Sequence, residues 1–143
     1  MAAADDLDQV IEQYHQVLDE FSRGNPDPLK YLYSSRNDVA IANPFFPLTR
    51  GREQVVARLE RSVQNFRDGE VGFQNVVKWV SGELACIVEL EEWKTKVGGR
   101  EEITPFTLRV TTLFRAEGGT WKIVHRHADP ITTPQPAESV IQE

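Results

Sequence analysis

Arg109-Val-Thr-Thr-Leu-Phe-Arg-Ala-Glu-Gly118-Gly119-Thr-Trp121-Lys-Ile-Val-His-Arg-His127-Ala-Asp129 is the stretch that decides the fold. Apolar and polar residues alternate on both sides of a Gly-Gly pair. That is the period-two pattern of two strands joined by a hairpin turn whose backbone favours glycine. The same pattern continues toward the N-terminus. Runs at about 70–80, 84–96, 102–116 and 120–128 are separated by Ser81-Gly82, Gly98-Gly99 and Gly118-Gly119, so four long strands form an antiparallel meander.

Before Asp68-Gly69 the period is nearer four. Leu7, Val10, Ile11, Tyr14, Val17, Leu18 and Phe21 recur at helical spacing, which predicts a helix over 5–22. Asp5, Asp6 and Asp8 suit its positive N-terminal end and Arg23-Gly24 its stop. Asp27 caps and Pro28 opens a short second helix with Leu29 and Leu32 facing inward. A short strand at 38–42 ends at Asn43-Pro44 and Pro47, and a third helix from Arg52 to Phe66 turns Val55, Leu59, Val63 and Phe66 to one side. The expected fold class is α+β: three N-terminal helices packed on a strongly curved, mainly antiparallel sheet, forming a cone-shaped barrel. One domain covers 5–130. The segment 131–143, poor in apolar residues and with prolines at 134 and 136, reads as a flexible, dispensable tail.

Composition removes several function classes. The chain has 143 residues, 40% of them hydrophobic, and a formal net charge of -6. Nucleic acid needs a concentrated basic surface and is not an expected partner. Arg50, Arg52, Arg58 and Arg61 lie among Glu53 and Glu60 on the third helix and read as a solvated face. No run reaches the roughly 18–20 apolar residues of a membrane span. The single cysteine, Cys86, and an N-terminus without signal-peptide character make the cytoplasm the expected compartment. Neither a nucleophile elbow, a phosphate-binding glycine loop nor a Cys-x-x-Cys pair occurs, and no cofactor is implied.

Strand alternation assigns side chains to faces. Trp121, Ile123, His125, His127 and Asp129 share one parity, taken as inward, with Lys122 and Arg126 outward. Turns centred near 82, 99 and 118 then align Asn75, Glu89, Arg109 and His127 in a cross-strand row. Glu91 and His125 flank it, and Thr111 lies opposite His125. Val77, Ile87, Leu113, Trp79 and Trp121 form the apolar end of the same face. Such a face makes a pocket with an apolar floor and a polar mouth. In the catalytic reading His127 is the acid or base, Arg109 holds an anionic or carbonyl oxygen, and Glu89 orients Arg109, with Tyr14 reaching in from the first helix. In the structural reading Glu89 and Arg109 merely neutralise each other and His127 is a satisfied rim histidine. His125-x-His127 with Asp129 has ligand spacing, but His15 lies off the apolar helix face and no metal is expected. The outward parity of Val88, Leu90, Leu108, Val110, Thr112 and Phe114 predicts a homodimer through the sheet.

Glu83-Leu-Ala-Cys-Ile-Val-Glu, Arg109-Val-Thr-Thr-Leu-Phe-Arg, Trp121-Lys-Ile-Val-His-Arg-His and Gly51-Arg-Glu-Gln-Val resemble the calcium/calmodulin-dependent kinase II association domain and its SnoaL-like relatives, within the nuclear transport factor 2-like superfamily. The resemblance covers about 5–130. It implies the cone fold, a ligand pocket and a dimer, in a superfamily of isomerases, cyclases, dehydratases and non-enzymatic members. The ketosteroid isomerase aspartate base corresponds to Asn43 here, and an amide takes no proton at neutral pH. Its oxyanion-binding acid corresponds to Thr111 or its neighbour, and the association domain's pocket arginine to Glu91. Steroid isomerisation is therefore not expected. Acid–base chemistry on a small, partly apolar, carbonyl-bearing or anionic substrate, and non-catalytic ligand binding or oligomerisation, both stay open. The expected ligand contacts are Tyr14, Asn43, Asn75, Trp79, Glu91, Thr111 and His125.

Overall fold

The structure, a computed structural model, describes residues 3–142. Met1, Ala2 and Glu143 lie outside the described residues, as do the side chains of Ala3, Ala4 and Asp5, including the expected N-terminal aspartate at position 5. Helix α1 spans Ala3–Phe21, α2 Asp27–Leu32 and α3 Arg52–Ser62, the last continued by a 3-10 turn at Val63–Asn65. The strands are β1 Ala40–Asn43, β2 Phe46–Arg50, β3 Phe66–Ser81, β4 Leu84–Val97, β5 Ile103–Glu117 and β6 Thr120–Asp129. They form one sheet in the order β2-β1-β6-β5-β4-β3. Every neighbouring pair is antiparallel except β1–β6. The fold is the expected α+β cone. β3, β4 and β5 are 14 to 16 residues long, and strands of that length carry enough twist to wrap α1.

The helix stripes bury as the spacing demands: Leu7, Tyr14, Val17, Leu18 and Phe21 from α1, Leu29 and Leu32 from α2, and Val55, Leu59, Val63 and Phe66 from α3 and its continuation. Asp27 is not a cap. It is the first residue of α2 and pairs with Lys30 at 3.0 Å. The segment read as a break at Pro47 is the edge strand β2, where proline removes no ladder donor that the sheet needs. Gly69 marks where α1 locks onto the sheet. A Cβ there would sit 2.6 Å from the Thr95 side chain and 2.8 Å from the Ser22 carbonyl. Thr95 Oγ1 donates to that carbonyl at 3.0 Å, and the Val71 amide donates to Asp19 at 2.9 Å. The tail carries a 3-10 turn at Ala137–Val140, and every described residue from Pro130 on is exposed. No helix among the described residues is long and apolar enough to cross a membrane.

Besides the shift at Asp68-Gly69, where two residues of β3 oppose Thr95 alone, two β-bulges control which side chains face α1. In β3 the register slips between Asn75 and Val77, leaving Val76 as the extra residue. In β6 it slips opposite Leu113/Phe114, where Phe114 pairs with Ile123 and Leu113 with His125, so Val124 is extra. A bulge of this kind reverses parity beyond itself.

Candidate functional site

On β4 the inward residues are Ala85, Ile87, Glu89, Glu91, Trp93 and Thr95. The β4–β5 loop runs from Gly98 to Glu102, so Glu89 pairs with Val110 and Glu91 with Leu108. Leu108, Val110, Thr112 and Phe114 therefore face inward and Arg109, Thr111 and Leu113 outward, the reverse of the expected parity. On β6 Trp121 and Ile123 point inward as expected. Beyond the Val124 bulge the inward residues are Arg126 and Ala128, not His125, His127 and Asp129.

The bulge brings Arg126 beneath α1, into a buried polar network. Its Nη1 donates to Glu91 Oε2 at 2.7 Å and its Nη2 to Glu91 Oε1 at 2.8 Å, a two-pronged ion pair with a fully buried carboxylate. Nη1 also donates to the Tyr14 hydroxyl at 2.6 Å, and that hydroxyl shares a 3.0 Å hydrogen bond with Thr112 Oγ1. Trp93 Nε1 donates to Glu91 Oε1 at 3.0 Å. Burial pushes the Tyr14 pKa up to about 12, with Arg126 pulling against it. Burial works to lower the Arg126 pKa, yet Glu91 outweighs it and holds the guanidinium well above its ordinary value. The Tyr33 hydroxyl is buried close by without a hydrogen-bond partner, and desolvation raises its pKa, so it keeps its proton.

Arg126 is the polar end of a small pocket of about 40 Å³, walled by Leu18 and Phe21 of α1, Leu29 of α2, Leu59 of α3, and Trp93 and Leu108 of the sheet. Asn43 and Phe45, at the β1–β2 turn, close one side. Asn43 Oδ1 accepts from the Phe45 amide at 2.9 Å, which shapes that turn.

The expected site residues divide between the two faces. Tyr14, Glu91 and Asn43 belong to the inner network or its pocket. Glu89 is inward and buried, but its partner is His15, not Arg109: His15 Nε2 lies 2.8 Å from Oε1 and 3.1 Å from Oε2. A carboxylate only accepts, so that nitrogen carries the proton. The His15 ring stacks on Phe73 with centroids 3.9 Å apart. Arg109 is on the outer face, its Nε donating to Asp129 at 2.6 Å, with His127 Nε2 3.6 Å from the other Asp129 oxygen. Thr111 and Val88 line the same outer groove. His125 is also outward, with Nδ1 donating to the Ala40 carbonyl at 2.8 Å. Asn75 does pair with Glu89 across the ladder, but it is exposed and bonds the Val77 carbonyl at 3.5 Å. The Val76 bulge turns Val77 and Trp79 outward, and Trp79 is 57% exposed. The row Glu89–Arg109–His127 does not converge. The residues that sequence reasoning missed are Arg126, His15, Thr112 and the hydrogen-bonding edge of Trp93. Among the described residues no group of three His, Cys, Asp or Glu is placed to hold a metal.

Comparison with known proteins places the molecule. The SnoaL-like domain family matches residues 7–132. A nuclear transport factor 2 (NTF2-like) superfamily protein from Salmonella enterica superposes with a TM-score of 0.80 at 15% identity, over 96% of this chain and 99% of that one. A protein named for the calcium/calmodulin-dependent protein kinase type II association domain, from Thiobacillus denitrificans, gives 0.72 at 15% identity over 86% and 93%. One named as a dehydratase of the NTF2-like family, from Streptomyces avermitilis, gives 0.72 at 18% over 90% and 96%. At these identities the likeness is one of fold. No curated protein matches the chain.

Proposed function

Since the chain belongs to the SnoaL-like domain family, we propose that its inner pocket binds a small, largely apolar molecule by a carbonyl or similar oxygen set against Arg126. The observation that carries this reading is the Arg126–Glu91–Tyr14–Trp93 network at the end of a largely apolar cavity. A guanidinium has five N–H donors, and three are engaged by Glu91 and Tyr14. Glu91 cancels the charge of Arg126, so the floor favours a neutral acceptor over a second anion. Binding fits this floor better than acid–base turnover. Glu91 is tied to Arg126, and Tyr14, with a pKa of about 12, holds its proton at neutral pH. A thermal-shift screen of alicyclic and aromatic ketones tests it. Saturable stabilisation is expected, and Leu29→Trp, which fills the cavity, should remove it. Stabilisation that survives Leu29→Trp would mean that the ligands sit elsewhere.

The outer face supports a second reading, a homodimer. Its apolar residues are Trp79, Val77, Cys86, Val88, Leu90 and Leu113, because Leu108, Val110, Thr112 and Phe114 are spent in the core. An exposed tryptophan within such a stripe is characteristic of a protein-binding surface.

A further inference from the structure

α3 carries arginines that divide in the structure. Arg52 caps α2, its Nη1 donating to the Lys30 carbonyl at 2.9 Å and the Tyr33 carbonyl at 3.3 Å. Arg58 and Arg61 do no such work. They line a recess of about 90 Å³ together with Phe45, Phe46, Ser62 and Asn65. Phe45 and Ser62 line the inner pocket as well, so the recess adjoins its mouth. The Arg58 guanidinium lies over the Phe46 ring, 5.4 Å from its centroid. That stacking steadies the cation while leaving its N–H edge open. Neither arginine has a carboxylate partner among the described residues. The nearest acid in sequence, Glu60, is turned to Lys30 at 2.8 Å.

We propose that this recess is an anion subsite, and that the ligand is an amphipathic organic anion. Its apolar body fills the inner pocket, its uncharged polar end meets Arg126, and its anionic end sits between Arg58 and Arg61. The inference rests on the pocket reading above and adds the charged end. Net charge does not oppose it. The formal total is -6, but at physiological salt charges act over about 8 Å, and the carboxylate adjoining the two arginines in sequence, Glu60, is paired with Lys30. The division of labour follows from the partners: Arg126 is already neutralised, whereas Arg58 and Arg61 are not.

The test uses two fluorescent probes of similar apolar size: 1-anilinonaphthalene-8-sulfonate, which is anionic, and N-phenyl-1-naphthylamine, which is neutral. Both should bind saturably, and both should be displaced in Leu29→Trp. Arg58→Gln with Arg61→Gln should weaken the sulfonate probe about ten-fold, remove most of its salt dependence, and leave the neutral probe unchanged. Arg50→Gln, whose residue lines a separate recess beside Asn37 and Gly51, should change neither. Equal weakening of both probes, or none, overturns the anion subsite while leaving the pocket standing. Failure of both probes to bind the wild type, or binding untouched by Leu29→Trp, overturns the pocket reading and the subsite with it.

Discussion

Strand β6 carries two polar clusters back to back. On its inner side Arg126 is clamped to Glu91 under α1. On its outer side Asp129 holds Arg109, with His127 beside it. Both are arginine–carboxylate pairs at hydrogen-bonding distance, yet they are different objects physically. The outer pair stands in water, with the Arg109 side chain 56% exposed, and such pairs contribute about 0–1 kcal/mol. The inner pair has lost its hydration and depends on Tyr14, Thr112 and Trp93 to complete its bonds. Such a pair adds little net stability over an apolar replacement but is strongly destabilising when only half is removed. An apolar pair would fill the space as well, so the retained charge points to the pocket that it faces.

The sharpest way to break this contrast is Arg126→Met, which leaves Glu91 buried without its cation. Urea unfolding should show a loss of about 3–5 kcal/mol. Adding Glu91→Leu should restore much of that while ligand binding stays lost. If the single variant is no weaker than one at Arg109, the two clusters are equivalent and the contrast collapses. The outer face is next. Trp79→Lys should raise the proposed dimer's dissociation constant at least ten-fold, about 1.4 kcal/mol, measured by sedimentation equilibrium. A wild type that stays monomeric at roughly tens of micromolar removes the dimer altogether. The smallest effect belongs to Arg109→Ala, about 0–1 kcal/mol, and it should depend on pH. Burial works to raise the Asp129 pKa, but the Arg109 hydrogen bond and the Ile131 amide outweigh it and hold the carboxyl below its usual value. A depressed carboxylate stabilises above its unfolded pKa of about 3.9, and that share is lost as pH falls through the folded value. In Arg109→Ala the acid-side loss should therefore be shallower. An unchanged slope would show that Arg109 does not set the Asp129 titration.

The helices, the four long strands and the turn positions were legible because period and turn residues are local properties. The pocket's charge was not, because it depends on counting residues across three hairpins. Taking the Gly98-Gly99 turn as the whole loop, when the loop runs to Glu102, shifted the partner of Glu89 from Val110 to Arg109 and reversed all of β5. The two bulges each add one valine, a residue at home in any strand, so composition does not mark them. One trace does exist: Ile123-Val124 puts two apolar residues side by side in an alternating strand, and both are buried. His15 was passed over because it sits at the edge of the α1 stripe. Its signal lay in the partners, since Glu89 and Phe73 face inward and an inward glutamate needs a donor. Glu91 posed the same demand, and Arg126 meets it.

The bulges at Val76 and Val124 also bear on how the gene can change. Each gives its strand one residue more than the ladder uses. A one-codon deletion beside Val124 can be absorbed by straightening β6, at the expense of Val124's own packing, and Arg126 still meets Glu91. A one-codon insertion there has no slack to draw on and swings Arg126 into solvent. Lineages descending from this chain should therefore tolerate shortening of β3 and β6 more readily than lengthening.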